Sequence, residues 1–291
     1  MIRFRLALTA SLLALFLFTP TPSPAQWVEP PGTGWVDVQV AHQNTGTKFG
    51  NQGRRIPLKL SGEARSIITT VRLTGALGIW HGLDVWADVP VRHLIFREPT
   101  QRFQRTGISD PRLFVRVGPS LVGLSQLPVA VAVRGGVKLP VGGFAASQQV
   151  IPLSEGQRDW KLLLELGKSL HPWPVYVMGW VGYRWREPND TIARKPGNER
   201  LFYAAAGGHV NAFRWKVAMD GLFGAPPVRT AFNLPLENER RELVQILPTV
   251  GWDLGPGTVQ AGTRIPLHGR NLPAGPTFTL GYFLSWSEPL W

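Results

Sequence analysis

Charged side chains recur at even spacings along extended stretches of this sequence: Arg112 and Arg116, Arg134 and Lys138, Arg184 and Arg186, and Arg214, Lys216 and Asp220. Residues two or four apart on a β-strand share a face, so each set projects from one side of its segment. Guanidinium and ammonium groups arrayed in this way attract anions, the former as planar bidentate donors and the latter as point charges. Other chemistries fail on residue type or spacing. The six histidines, His42, His81, His93, His171, His209 and His268, are scattered. His209-Val-Asn211 is suggestive by type, but no serine accompanies it, and a hydrolase needs a nucleophile beside an oriented base. No metal-ligand spacing occurs, and Gly32-Thr-Gly34 and Gly53 are isolated glycines, not a phosphate cradle. The expectation is a non-enzyme without metal or cofactor.

The segments that carry these charges alternate between apolar and polar residues. In the last of them, Phe278, Leu280, Tyr282, Leu284 and Trp286 share one face, while Thr277, Thr279, Gly281 and Ser285 share the other. Near Phe213, one face holds Trp215, Val217, Met219 and Phe223, and the other holds Arg214, Lys216 and Asp220. This period predicts about twelve strands. They lie near 35–43, 66–79, 83–96, 110–121, 127–141, 159–170, 175–186, 199–210, 213–224, 242–254, 258–268 and 277–286. Their connections are read as alternating strictly between short turns and long polar loops. The long ones span 44–65, 97–109, 142–158, 187–198, 225–241 and 269–276. That rhythm belongs to a transmembrane barrel with both chain ends on one side. The fold expected is all-β: a single antiparallel up-and-down transmembrane β-barrel over residues 35–291.

The register then assigns an interior. Inward basic candidates are Arg72, Arg92, Arg112, Arg116, Arg134, Lys138, Lys161, Arg184, Arg186, Arg214, Lys216 and Arg264. Inward acids are Asp37, Asp84, Asp88, Glu165, Asp220 and Asp253, so base exceeds acid about two to one. A one-residue slip would put these charges in lipid at about 2–4 kcal/mol each near the midplane. Rings at both strand ends read as interfacial girdles: Trp35, Trp80, Trp173, Trp215, Trp252 and Trp286 at one rim, Phe96, Trp160, Trp185, Phe202, Phe223 and Phe278 at the other.

Composition and the chain ends fit this picture. Twelve Trp and 32 Gly accompany a mean hydropathy near zero, as alternation of an oily and a wet face requires. Cysteine is absent, which excludes a lipoprotein anchor, a disulfide framework and thiol chemistry. Arg3 and Arg5 precede an apolar run from Leu6 to Phe18 that is too short to span a bilayer, followed by Ser23-Pro24-Ala25. Residues 1–25 therefore read as a signal peptide cleaved near Ala25, and without Arg3 and Arg5 the formal charge of +12 becomes about +10. Residues 26–34 form a Pro/Gly-rich segment able to plug a mouth or hang free. Thr279, Gly281, Leu284 and Trp286, together with the terminal Trp291, form the membrane-insertion signal that barrel assembly machinery reads. The address is the cell outer membrane. There a basic protein meets anionic solutes and lipopolysaccharide phosphates rather than nucleic acid, with Arg54, Arg55, Arg102 and Arg105 nearest the latter.

One stretch carries a family likeness. Gly107-Ile-Ser-Asp-Pro-Arg-Leu113, Gly136-Val-Lys-Leu-Pro-Val-Gly142, Gly156-Gln-Arg-Asp-Trp160 and Gly179-Trp-Val-Gly-Tyr-Arg-Trp-Arg186 follow one another in order. This series resembles the MetA-pathway phenol-degradation family of outer-membrane transporter-like barrels. The chain departs from the pattern with Ser109 where a glycine precedes the aspartate, and with Val141 where threonine is usual. The resemblance covers roughly a third of the chain and implies a monomeric channel associated with uptake of hydrophobic or aromatic compounds. The reading is a passive channel for small solutes, anionic or aromatic. The alternative is a non-conducting structural or export barrel that works with a partner.

Overall fold

A computed structural model of the protein describes residues 28–59, 63–124, 127–141 and 152–289. Within them, twelve antiparallel strands close one sheet upon itself. They are β1 (Gly34–Thr45), β2 (Arg65–Trp80), β3 (Leu83–Arg97), β4 in two pieces (Arg102–Ile108 and Arg112–Val117), β5 (Ala130–Lys138) and β6 (Asp159–Ser169). There follow β7 (Val175–Arg186), β8 (Glu199–Val210), β9 (Phe213–Gly224), β10 (Glu242–Leu254), β11 (Gly257–Arg270) and β12 (Thr277–Trp286). Each strand pairs with the next. The ring closes where β1 meets β12, from Gly34 opposite Trp286 to Gln43 opposite Thr277. Closure pairs both edges of the wall, except that the Arg102–Ile108 piece of β4 runs on beyond β5 and pairs, among the described residues, with β3 alone.

The register puts grease outside. Val40, Val71, Val91 and Ile108 lie opposite one another on successive strands, Leu280 continues the row across the seam, and all five are exposed. On β6, Trp160, Leu162, Leu164 and Leu166 are exposed, while Asp159 and Leu163 between them are buried. A continuous belt of exposed aliphatic side chains is the exterior expected of a wall facing hydrocarbon. No described helix is long and apolar enough to cross a membrane, which says nothing about strands.

The strict short/long rhythm does not hold. The connection 98–101 is a tight turn, closed by the Glu98 amide donating to the Gln101 carbonyl at 2.8 Å. The stretch read as a loop over 97–109 is instead a continuation of β4, which pairs with β3 up to Arg97–Arg102. Strand β4 breaks at Ser109–Pro111, where proline lacks the amide that a ladder needs. It also ends earlier than expected, at Val117, because Pro119–Val122 turn into a 3₁₀ helix. The link from β4 to β5 is thereby the longest at the otherwise short-turn end, and β5 is confined to Ala130–Lys138. The remaining links keep the rhythm, with short turns at 81–82, 170–174, 211–212 and 255–256.

Residues 28–33 are fastened to the wall at the short-turn end. The Gly32 amide donates to the Gly78 carbonyl and the Gly78 amide to the Thr33 carbonyl, both at 2.9 Å, and Trp286 Nε1 donates to the Gly32 carbonyl at 3.0 Å. Gly78 is required there, since a Cβ on it would lie 1.9 Å from the Pro30 carbonyl oxygen. The leader and Trp291 fall outside the described residues.

Leu280 and Thr279 are adjacent on β12 but face opposite ways. Leu280→Arg should destabilise the barrel by about 2–4 kcal/mol in phospholipid vesicles, and Thr279→Arg by much less. Urea unfolding followed by tryptophan fluorescence checks the difference.

Candidate functional site in the barrel interior

Charges on the inner face are arranged in rows set by strand register. Nearest the short-turn end, Asp84, Arg116 and Arg134 stand side by side on β3, β4 and β5. The Asp84 carboxylate is fully buried and accepts from Arg116 Nη2 at 2.6 Å, Arg116 Nε at 2.9 Å, Trp86 Nε1 at 2.9 Å and the Glu29 amide at 2.9 Å. Two guanidiniums meet across Arg116 and Arg134, and two features make that tolerable. Glu165 lies 2.6 Å from Arg134 and 3.7 Å from Arg116, and both cations sit over the Trp86 ring at 4.3 and 4.7 Å.

One row further along, Asp88 bridges Arg112 at 2.9 Å and Arg72 at 3.4 Å. Lys161 lies 5.5 Å from the centre of the Phe114 ring. That ring lies against Gly136, where a Cβ would meet it at 2.1 Å. Arg92, Lys161, Lys216 and Arg264 differ from these paired groups in having no carboxylate within 4.0 Å among the described residues. Lys216 and Arg264 stand on the opposite wall, where Asp220 sits across from Tyr203 and Gln245. Arg214, at the short-turn mouth, is half exposed and holds Asp253 through two bonds of 2.6 and 3.0 Å.

Between these walls lie two cavities. One, of about 700 Å³, is bounded by Trp86, Arg116, Arg134, Trp180 and Tyr203. The other, of about 480 Å³, is bounded by Asp37, Gln39, Arg214 and Gln260. Trp35, Tyr176, Lys216 and Phe283 line both. Trp180 stacks on Tyr203 with ring centres 5.6 Å apart, and Trp35 meets Trp86 edge-on at 4.8 Å. The interior thus offers flat aromatic surface beside ammonium and guanidinium groups.

At the long-loop end the connection before β6 turns inward. Glu155 reaches Lys138 at 2.6 Å, Arg186 at 2.8 Å and Arg241 at 3.0 Å. Asp159 and Glu199 share the same cations, with Asp159 at 3.0 Å from Lys138, and Glu199 also pairs with Arg184. Burial opposes ionisation of Glu155, but the positive charges of Arg186, Lys138 and Arg241 outweigh it and hold the carboxyl well below the ordinary carboxylate range.

Placement of the sequence candidates is therefore uneven. Arg72, Arg112, Arg116, Arg134, Lys138, Glu165, Arg184 and Arg186 form a paired belt over β2–β8, whereas Arg92, Lys161, Lys216 and Arg264 stand without a close carboxylate. Trp35 was assigned to a girdle; it points inward instead, with the parity of Asp37. Sequence reading missed Trp86, Trp180, Tyr203 and Phe283, although each shares parity with an inward polar or small residue. Glu29 and Glu155 carry no such signal, because alternation says nothing about residues outside strands. No described group of three His, Asp or Glu gathers as metal ligands.

Neither family models nor curated proteins yield a match to this chain. Solved structures do. The COG4313 outer membrane channel from Pseudomonas putida F1 aligns with a TM-score of 0.71 at 14% identity, over 92% of this chain and 100% of the other. That likeness establishes the shared fold. The toluene transporter TbuX of Ralstonia pickettii aligns over 91% of this chain and 92% of its own, at 11% identity and a TM-score of 0.44. OmpT, an outer membrane protein of Vibrio cholerae, aligns over 87% of this chain and 98% of its own, at 7% identity and 0.41. At such scores these two carry no argument.

Asp84→Asn takes from the buried Arg116 its nearest counter-charge, leaving Glu165 at 3.7 Å, and should cost up to about 3–5 kcal/mol in unfolding experiments. Arg214→Gln, at the exposed pair, should leave stability nearly unchanged. For Glu155, whose folded-state pKa is depressed, the stabilisation is complete above the unfolded value of about 4.3 and is lost only as pH falls through the lower folded value. The contribution of Glu155 to urea stability, read as the difference between wild type and Glu155→Gln, should therefore stay level from pH 7 to about 5 and fall only in stronger acid.

Proposed function

We propose that this chain is a passive outer-membrane channel for small solutes, favouring anionic or aromatic organic compounds. One observation carries the reading: Lys216 faces both interior cavities, beside Tyr176 and Phe283, and makes no ion pair within 4.0 Å among the described residues, although Asp37 lines one of the same cavities. A cation in a water-filled, low-dielectric passage raises the local concentration of anions, and ring faces favour planar solutes. The greasy exterior suits a bilayer, and the solved barrel that shares the fold is described as an outer membrane channel. In this reading the short-turn end faces the periplasm and the long loops face outward, where Arg54 and Arg55 meet lipopolysaccharide phosphates. The leader would be cleaved near Ala25, the assembly machinery would read β12, and the barrel would act as a monomer. Kinship with the phenol-degradation barrels belongs to the same proposal.

A second reading is favoured by the outer mouth. Glu155 ties an inward-turned connection to three cations, as a barrel closed until a partner opens it would require. Planar-bilayer recording separates the two. The channel reading expects steady conductance with anion preference, reduced severalfold in Lys216→Gln and Arg264→Gln together. A silent barrel would support the closed alternative, and a cation-selective one would overturn the anion preference.

A further inference from the structure

Three carboxylates crowd the cations at the long-loop mouth from within the wall: Asp110, Asp159 and Glu199, whose side chains are 7, 1 and 1% exposed. Glu155 is different. Its side chain is 41% exposed, and it arrives from a connection rather than from a strand. Its backbone is anchored independently of its carboxylate. The Glu155 amide donates to Asp110 at 3.0 Å, Asn189 Nδ2 donates to the Glu155 carbonyl at 2.8 Å, and Ser109 Oγ donates to the buried Leu153 carbonyl at 2.5 Å. The carboxylate can therefore leave the cations without dragging the connection with it.

What it would vacate has the form of a binding site. Arg186 and Arg241 point at Glu155 Oε1 and Lys138 at Oε2, a three-point clasp for one carboxylate. A cavity of about 300 Å³ adjoins it, with Arg92 on its wall beside the apolar Leu153, Ile192 and Pro227. We infer that Lys138, Arg186 and Arg241 form an entry site for small monocarboxylates with an apolar tail, and that Glu155 is a tethered competitor occupying it until such a solute displaces it. The three wall carboxylates serve to hold the cations in place; Glu155 serves to keep the site filled. A tethered group competes at an effective concentration set by its short tether, in the millimolar range, so it lowers the apparent affinity of every competing carboxylate by the same factor. Solutes would then enter only by exchanging one carboxylate for another.

Passage of the solute beyond this clasp rests on the channel reading, while binding does not, so the two are measured separately. The probe is propionate, titrated calorimetrically into the full barrel in detergent, with methylammonium as the opposite-charge control. Glu155→Ala and Glu155→Gln should each bind propionate about tenfold more tightly than wild type, the glutamine variant showing that charge rather than bulk is responsible. Adding Arg241→Gln to Glu155→Ala should abolish that gain, and methylammonium should bind none of them. Equal propionate affinity in wild type and both Glu155 variants, or a gain that survives Arg241→Gln, overturns the inference. Propionate currents are then recorded for the same proteins in planar bilayers. Tighter binding without any current would leave the site standing and refute the channel; current with unchanged affinity would do the reverse.

Discussion

Every feature of this barrel follows from the need to pair backbone amides and carbonyls without help from water. In hydrocarbon, the surroundings proposed for this exterior, an unpaired peptide group costs several kcal/mol, which favours a closed ring over an open sheet. Here it closes between β1 and β12 through an unbroken run from Gly34–Trp286 to Gln43–Thr277. Closure divides the side chains into two populations with no intermediate class. Val40, Val71, Val91 and Leu280 go outward, and Arg72, Arg116, Arg134 and Lys216 go inward.

An interior so rich in charge must then solve its own electrostatics. Over β2–β8 it does so by neighbour pairing: Asp84 with Arg116, Asp88 with Arg72 and Arg112, Glu165 with Arg134. Such pairs recover little more than the hydration they forfeit, so their value lies in fixing positions rather than in net stability. Trp86 contributes by placing a ring face beneath two guanidiniums that would otherwise repel. The far wall is treated differently, with Asp37, amides, hydroxyls and aromatic rings around Lys216 and no ion pair within 4.0 Å. The molecule thus has a densely paired side and a sparsely paired one.

How much of this the sequence disclosed depends on whether a residue sits in a strand. Parity alone put Arg134 and Lys138 on the opposite face from Val133 and Val137, and β6 to β10 emerge at or within a residue of their expected limits. The same rule turns Trp35 inward with Asp37, against the girdle position that its place at a strand end suggests. Strand β4 is expected only from 110, after a polar loop over 97–109, because the charges of that stretch resemble a loop, whereas the chain keeps the same ladder on both sides of the break. Glu155 was illegible for a deeper reason. Its place depends on a connection folding back upon cations from β5, β7 and the 225–241 link, which no local pattern encodes.

The bond from Trp286 to the Gly32 carbonyl joins residues 254 positions apart, across the very joint where first and last strands meet. Together with the amides shared by Gly32, Thr33 and Gly78, it makes the two chain ends into a clasp over the seam. A clasp of this kind cannot be fastened until the whole polypeptide has been delivered, so it belongs to the final act of assembly. It also discriminates: sliding β12 by two residues along β1 would preserve the alternation of grease and charge yet carry the indole away from its acceptor. The leading segment therefore serves as a gauge of correct alignment, a task that its small size and lack of regular structure conceal.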